Sequence, residues 1–337
     1  MFPSAPQDGD RDPWADEPRS SPRPASGVYG AAAEDSVLGR AGADVSLDEP
    51  DDSAEDEPQI AEVPVRRQLS VAIAGFAGLL GAGLILGAQT SGPDARAPYA
   101  IVIFGVQLLF VLAWTMALRP PAAGLVAGVS VVAGLFADYL AVSTGEPSIL
   151  PLLLLAPAAM VVVVVGQLIL KVDRLRVRDA FGTTLLIVVG VVSFSALIAL
   201  TRKPIGTQAV LVCLSAAAVA LVIARLTDAV FPRPRIAPQV ARGATGIILG
   251  AMIGTLGAAA LGSVLVLPFT PAKGAILGLI AAGVAVLVDL AVNFTEAGRS
   301  IAGEAPTFWV ARHMQGPLGS FALASPVAYL LTIFFLS

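Results

Sequence analysis

Asp289, Asn293 and Glu296 stand at i, i+4 and i+7 of one helical period, so all three project from a single face. They lie where a long apolar run gives way to the polar stretch EAGRSIAGEAPTFWVARHMQGPLG, Glu296–Gly319, which holds His313, the chain's one histidine. An ionisable group at membrane depth is costly, so Asp289 is a functional candidate by default. Asp228, beside FPRPRIAP, is a second candidate acid, read as lying just past an apolar run. His313 has no second histidine, and the single cysteine, Cys213, falls inside an apolar run, so a zinc site of ordinary composition is not expected. The tract TFWVARH mixes aromatics with cations, as a segment in the headgroup region does. Neither a Walker-type loop nor a nucleophile elbow is present.

The elements that must position these groups are membrane helices. Of 337 residues, 56% are hydrophobic and 14% charged, and the apolar residues come in runs of about twenty. Nine segments can be drawn, at about 69–89, 97–118, 121–142, 148–170, 180–200, 205–225, 243–268, 272–294 and 317–336. Each is long enough to cross a hydrocarbon core of ~30 Å at ~1.5 Å per residue. The expected fold is therefore all-α and polytopic. Of the basic residues in the flanks and connections, thirteen fall in one alternating class and four in the other. By the positive-inside rule this places the N-terminus in the cytoplasm, the C-terminus outside and the polar stretch on the cytoplasmic face. The basic run KVDRLRVRD, Lys171–Asp179, shares that face and reads as a topology signal or a contact for anionic headgroups. Gly246, Gly250 and Gly254 recur every fourth residue and permit close helix packing. Asp138, next to Tyr139 near the external end of the third segment, reads as an interfacial anchor.

Charge separates a further part. Residues 1–62 carry sixteen acidic and four basic side chains in a Pro-, Ser-, Gly- and Asp-rich stretch without apolar period, whereas 63–337 carries nine acidic and seventeen basic. The first part reads as a disordered cytoplasmic tail suited to basic partners, and it lacks the pattern of a cleaved signal peptide. Nucleic acid is not an expected partner.

In its C-terminal third, the order VDLAVNF, polar loop, GSFALASPVAYLL resembles the end of the phosphatidate cytidylyltransferase (CDP-diglyceride synthase) family. Members of that family read G-D-L-V-E-S, polar loop, then H-G-G-x-x-D-R-x-D-S followed by A-P-V-A-Y-L-L. Asp289 falls on the first motif's aspartate, and Ser320 and SPVAYLL fall on the second motif. Upstream, RLTDAVFPRPRIAPQVARGATGIILGAMIG is similar to the family's S-D-x-G-A-Y and S-P-K-K-T-W-E-G elements, with Asp228 on the acid and Pro238 on the proline. The resemblance implies a cytidylyltransferase-like membrane domain over 63–337 in the cell membrane, arranged as a homodimer, with phosphatidate among its lipid partners. It implies Asp289 and Asp228 as catalytic acids, these two with Glu296 as Mg²⁺ ligands if the protein is active, and Arg242, Arg235, Arg299 and His313 as phosphate-binding groups. The departures fall on the chemistry. Gly316, Pro317, Leu318 and Gly319 stand where the family has its D-R-x-D acids, Gln239 and Val240 replace the paired lysines, and His313 comes about two residues late. The expectation is a catalytically degenerate relative acting in lipid-associated binding or scaffolding. The alternative is an active CTP:phosphatidate cytidylyltransferase.

Overall fold

The computed structural model describes residues 63–91, 96–305 and 307–336; the acidic tail expected over 1–62 lies outside them. Among the described residues there are eleven helices and no strand: α1 (Arg67–Thr90), α2 (Arg96–Leu118), α3 (Ala123–Ser143), α4 (Leu150–Ile169), α5 (Arg174–Asp179), α6 (Phe181–Ser193), α7 (Ser195–Thr201), α8 (Gly206–Val230), α9 (Ala244–Val264), α10 (Pro271–Ile301) and α11 (Trp309–Leu336). Taking α6 and α7 as one interrupted span, nine of these stretches are long and apolar enough to cross a membrane. Their lipid-type exteriors keep large apolar side chains exposed, among them Leu79, Val132, Leu154 and Phe334, as helices solvated by hydrocarbon should.

The nine spans match the nine apolar runs, but helices extend further where polar residues begin. Helix α8 continues past Asp228 to Val230, so Asp228 is a buried helical residue rather than a loop acid. Helix α10 carries Glu296 and Arg299 in its last turns, and α11 begins at Trp309, so only residues 302–308 of the polar stretch connect the two.

Helix α8 packs against α1, α9, α10 and α11, and α11 in turn touches α2, α6 and α7 of a second group completed by α3 and α4. The α8–α9 seam follows from the glycine spacing. A Cβ added to Gly250 would sit 2.4 Å from Ala220 O, and one added to Gly254 2.5 Å from Ala216 O, so only hydrogen allows this approach of backbones. Cys213 is buried among the apolar side chains of α8.

Candidate functional site

Four charged side chains meet at one end of the α8–α9–α10–α11 group. Arg225 and Asp228 lie three residues apart on α8, Asp289 comes from α10, and Arg242 comes from the connection between α8 and α9. That connection is fixed by an antiparallel bridge between Arg235 and Gly243 and by the Ala244 N–H donating to Pro234 O at 2.9 Å. Arg225 Nη2 donates to Asp289 Oδ1 at 2.5 Å, and Arg242 Nη1 donates to Asp228 Oδ2 at 2.5 Å. Arg242 Nη2 lies 2.8 Å from Asp289 Oδ2, and the Gly243 N–H donates to Asp228 Oδ1 at 2.9 Å. Arg242 thus bridges both acids with the planar fork that only a guanidinium offers. Asp228, meanwhile, sits at the N-terminus of α9, where free N–H groups favour an anion.

The quartet is closed and neutral. Arg242 and Asp289 are 0% exposed, Asp228 1% and Arg225 7%. Burial and the neighbouring Arg225 push Arg242 below the usual arginine range, while Asp289 and Asp228 act against that shift. Small residues make the enclosure possible. A Cβ on Gly246 would stand 2.4 Å from Asp228 Oδ1, and one on Gly316 would stand 2.1 Å from Asp289 Oδ1.

The remaining sequence candidates lie outside the quartet. Glu296 pairs with Arg312, and Arg299 Nε donates to Glu304 Oε2 at 2.8 Å. Asn293 Nδ2 turns back to donate to Asp289 O. Arg235 Nη1 donates to Val63 O at 2.7 Å, joining the start of the described chain to the α8–α9 connection. His313 stacks edge-on against Trp309, ring centres 5.2 Å apart. The structure therefore brings together Asp228, Asp289 and Arg242 and leaves Arg235, Arg299, Glu296 and His313 apart from them. Arg225 is not among the sequence candidates; its i, i+3 spacing to Asp228 on an apolar helix is the available signal.

A magnesium ion held by Asp289, Asp228 and Glu296 does not fit this arrangement. The carboxylates of both aspartates already face guanidinium or backbone N–H groups, Glu296 is engaged by Arg312, and no group of three or more His, Cys, Asp or Glu is placed to hold a metal among the described residues. Hard cations bind through carboxylate oxygens that such pairing removes.

Next to the quartet, between α2, α6, α10 and α11, runs a groove of about 270 Å³. Phe110, Trp114, Leu186, Val288, Val292 and Leu323 are among its apolar lining residues, and Thr183, Ser193, Thr295, Glu296, Arg299 and Gln315 are its polar ones, Ser193 lying at the other end of α6 from Thr183. Phe110 and Trp114 are stacked, ring centres 5.1 Å apart. The Trp114 indole N–H is buried and donates to no acceptor among the described residues. Gly319, one of the residues standing where the resemblance expects an acid, packs against this ring, and a Cβ there would lie 2.8 Å from Trp114 Cζ2.

The chain matches no family model, no curated protein and no solved structure.

Proposed function

We propose that this chain is a multi-pass membrane protein of cytidylyltransferase-like descent that has exchanged its catalytic metal site for a structural ion-pair network and binds membrane phospholipid. The observation that carries the reading is the pairing of Asp289 and Asp228 with Arg225 and Arg242, closed over by Gly316 and Gly246. Cytidylyl transfer expels pyrophosphate and needs metal charge at the phosphates, an effect worth several kcal/mol, at a factor of ten in rate per ~1.4 kcal/mol. Acids consumed by arginines supply none of it.

The groove supports the lipid part. Its walls are mostly apolar, as an acyl chain requires, and its amide and charged groups come from the last turns of α10 and the first of α11, with Thr183 and Thr295 near them and Ser193 at the far end of α6. The bias of basic residues, thirteen against four, supports the cytoplasmic face of the cell membrane for the end with the charged groups, with the N-terminal tail on the same side. Phosphatidate is the ligand the resemblance suggests, and basic proteins are the partners suited to the acidic tail.

Lipid retention tests this. After detergent purification, native mass spectrometry of the wild type should show bound phospholipid, and Val292→Trp, which fills the groove from α10, should reduce it several-fold while the gel-filtration profile is kept. Equal retention by both proteins, or none by the wild type, would overturn the lipid assignment.

A further inference from the structure

A second buried acid has no arginine. Asp138 on α3 reads from the sequence as an interfacial anchor, yet it is 4% exposed and turned into the bundle, whereas its neighbour Tyr139 is the exposed one. Its Oδ1 accepts from Gln107 Nε2 at 3.0 Å and from Ser195 Oγ at 2.5 Å. Gln107 is 1% exposed at the centre of α2, and Ser195 is 0% exposed at the start of α7, beside the break with α6. Val191 O at 3.1 Å and Ser195 Oγ at 3.0 Å also lie within reach of Gln107 Nε2, whose two hydrogens are shared among these three acceptors, and this ring of acceptors fixes the amide with its oxygen turned away.

Two acceptors are then left over on residues in direct contact. Asp138 Oδ2 and Gln107 Oε1 are buried and receive no hydrogen bond from any described residue. Every ionised acid in the quartet faces a guanidinium, but no cationic side chain pairs with Asp138 among the described residues. The elements packed on α3 offer none either: α4, α6 and α7 contain no ionisable residue, and α2 carries only Arg96 and Tyr99 toward its start. Past the end of α7, Arg202 donates to Ala141 O, Thr144 and Gly145 O, and Lys203 lies over the Tyr329 ring. An ionised carboxylate held here by two neutral donors alone would bear a large desolvation cost. A hydrogen bond from a neutral group offsets only a fraction of it.

We propose that Asp138, Gln107 and Ser195 form an intramembrane site for a small monovalent cation, a proton or a sodium ion, received at Asp138 Oδ2 and Gln107 Oε1. One positive charge completes both the charge and the hydrogen-bonding requirements of the trio. A proton on Oδ2 makes the carboxyl neutral and turns it into a donor; a sodium ion is a hard cation suited to oxygen ligands. A divalent ion is a poorer fit, since one carboxylate leaves half its charge uncompensated. Gly134 leaves room beside the buried amide oxygen, since a Cβ there would stand 3.0 Å from Gln107 Oε1. An interrupted helix beside a buried polar cluster is also the setting in which membrane proteins hold small cations.

The full chain in nanodiscs at neutral pH distinguishes the two sources. Sodium is supported if NaCl raises the thermal midpoint over choline chloride at equal ionic strength and Asp138→Asn abolishes the difference. The proton is supported if sodium has no effect and the infrared spectrum contains a protonated-carboxyl stretch that Asp138→Asn removes. Should that variant fail to accumulate, Asp138→Glu keeps the acid and must shift the same band or retain the sodium response. A wild type with neither a sodium response nor a protonated-carboxyl band overturns the proposal.

Discussion

Replacing Arg242 by Met should be the most damaging single change in the α8–α10 region. Arg242 holds Asp228 Oδ2 at 2.5 Å and lies 2.8 Å from Asp289 Oδ2, so its removal strips positive charge from two buried carboxylates at once. Breaking a buried pair from one side typically costs ~3–5 kcal/mol because the surviving charge remains desolvated. For a domain of this size that corresponds to a loss of about 10 °C in thermal midpoint. Arg242→Lys should recover only part of it, since a single ammonium does not span both acids as the guanidinium fork does. Asp289→Leu should also destabilise, by leaving Arg225 short of its acid partner. The informative combination is Arg242→Met with Asp228→Asn. If the network is structural, the double variant should be more stable than the sum of its parts, as expected for coupled neighbours. Midpoints within about 1 °C of wild type for Arg242→Met would remove the network from the account. Matched scan rates in one detergent are required, because unfolding of such proteins is a rate as much as an equilibrium.

The second large effect is at Gly316. Restoring an acid where the resemblance expects one, by Gly316→Asp, should lower stability sharply rather than restore chemistry. Even the Cβ of Gly316→Ala would stand 2.1 Å from Asp289 Oδ1 and 3.5 Å from Arg225 Nη2, so α11 must move from α10 or Asp289 must leave its partners. Overpacking of this kind costs ~1–3 kcal/mol. The aspartate adds a third carboxylate to a quartet already balanced two against two, so its midpoint should fall below that of Gly316→Ala. A Gly316→Asp protein as stable as wild type would mean that the enclosure around Asp289 is looser than its geometry states.

Much of the fold is legible from hydropathy, since nine apolar runs of about twenty residues become, among the described residues, nine helical stretches long and apolar enough to cross a membrane. The errors lie where charge enters a helix. A hydropathy reading stops the sixth run at Arg225 and the eighth at Phe294, whereas α8 and α10 continue to Val230 and Ile301 because Arg242 and Arg312 satisfy Asp228 and Glu296 from other elements and Glu304 satisfies Arg299 locally. The glycine ladder of α9 is legible for the same reason the runs are, as a local period. Which arginine each acid faces is not. Asp228 and Arg225 share a helix three residues apart, yet Arg225 turns to Asp289, 64 residues away, and Arg242 takes Asp228. Asp138 shows the same limit: its position near a helix end suggests an interface, and only the packing of α2 and α7 onto α3 makes it a buried acid.

The central claim, that the acids of this site serve structure and no longer hold a catalytic metal, is met most directly by a turnover measurement. The purified full chain in phospholipid nanodiscs, supplied with CTP, phosphatidate and Mg²⁺, should release no pyrophosphate and form no CDP-diacylglycerol above the level of empty nanodiscs. Magnesium-dependent product formation by the unmodified chain, abolished by Asp289→Asn in a variant that still folds, would contradict the account and make the protein an active cytidylyltransferase.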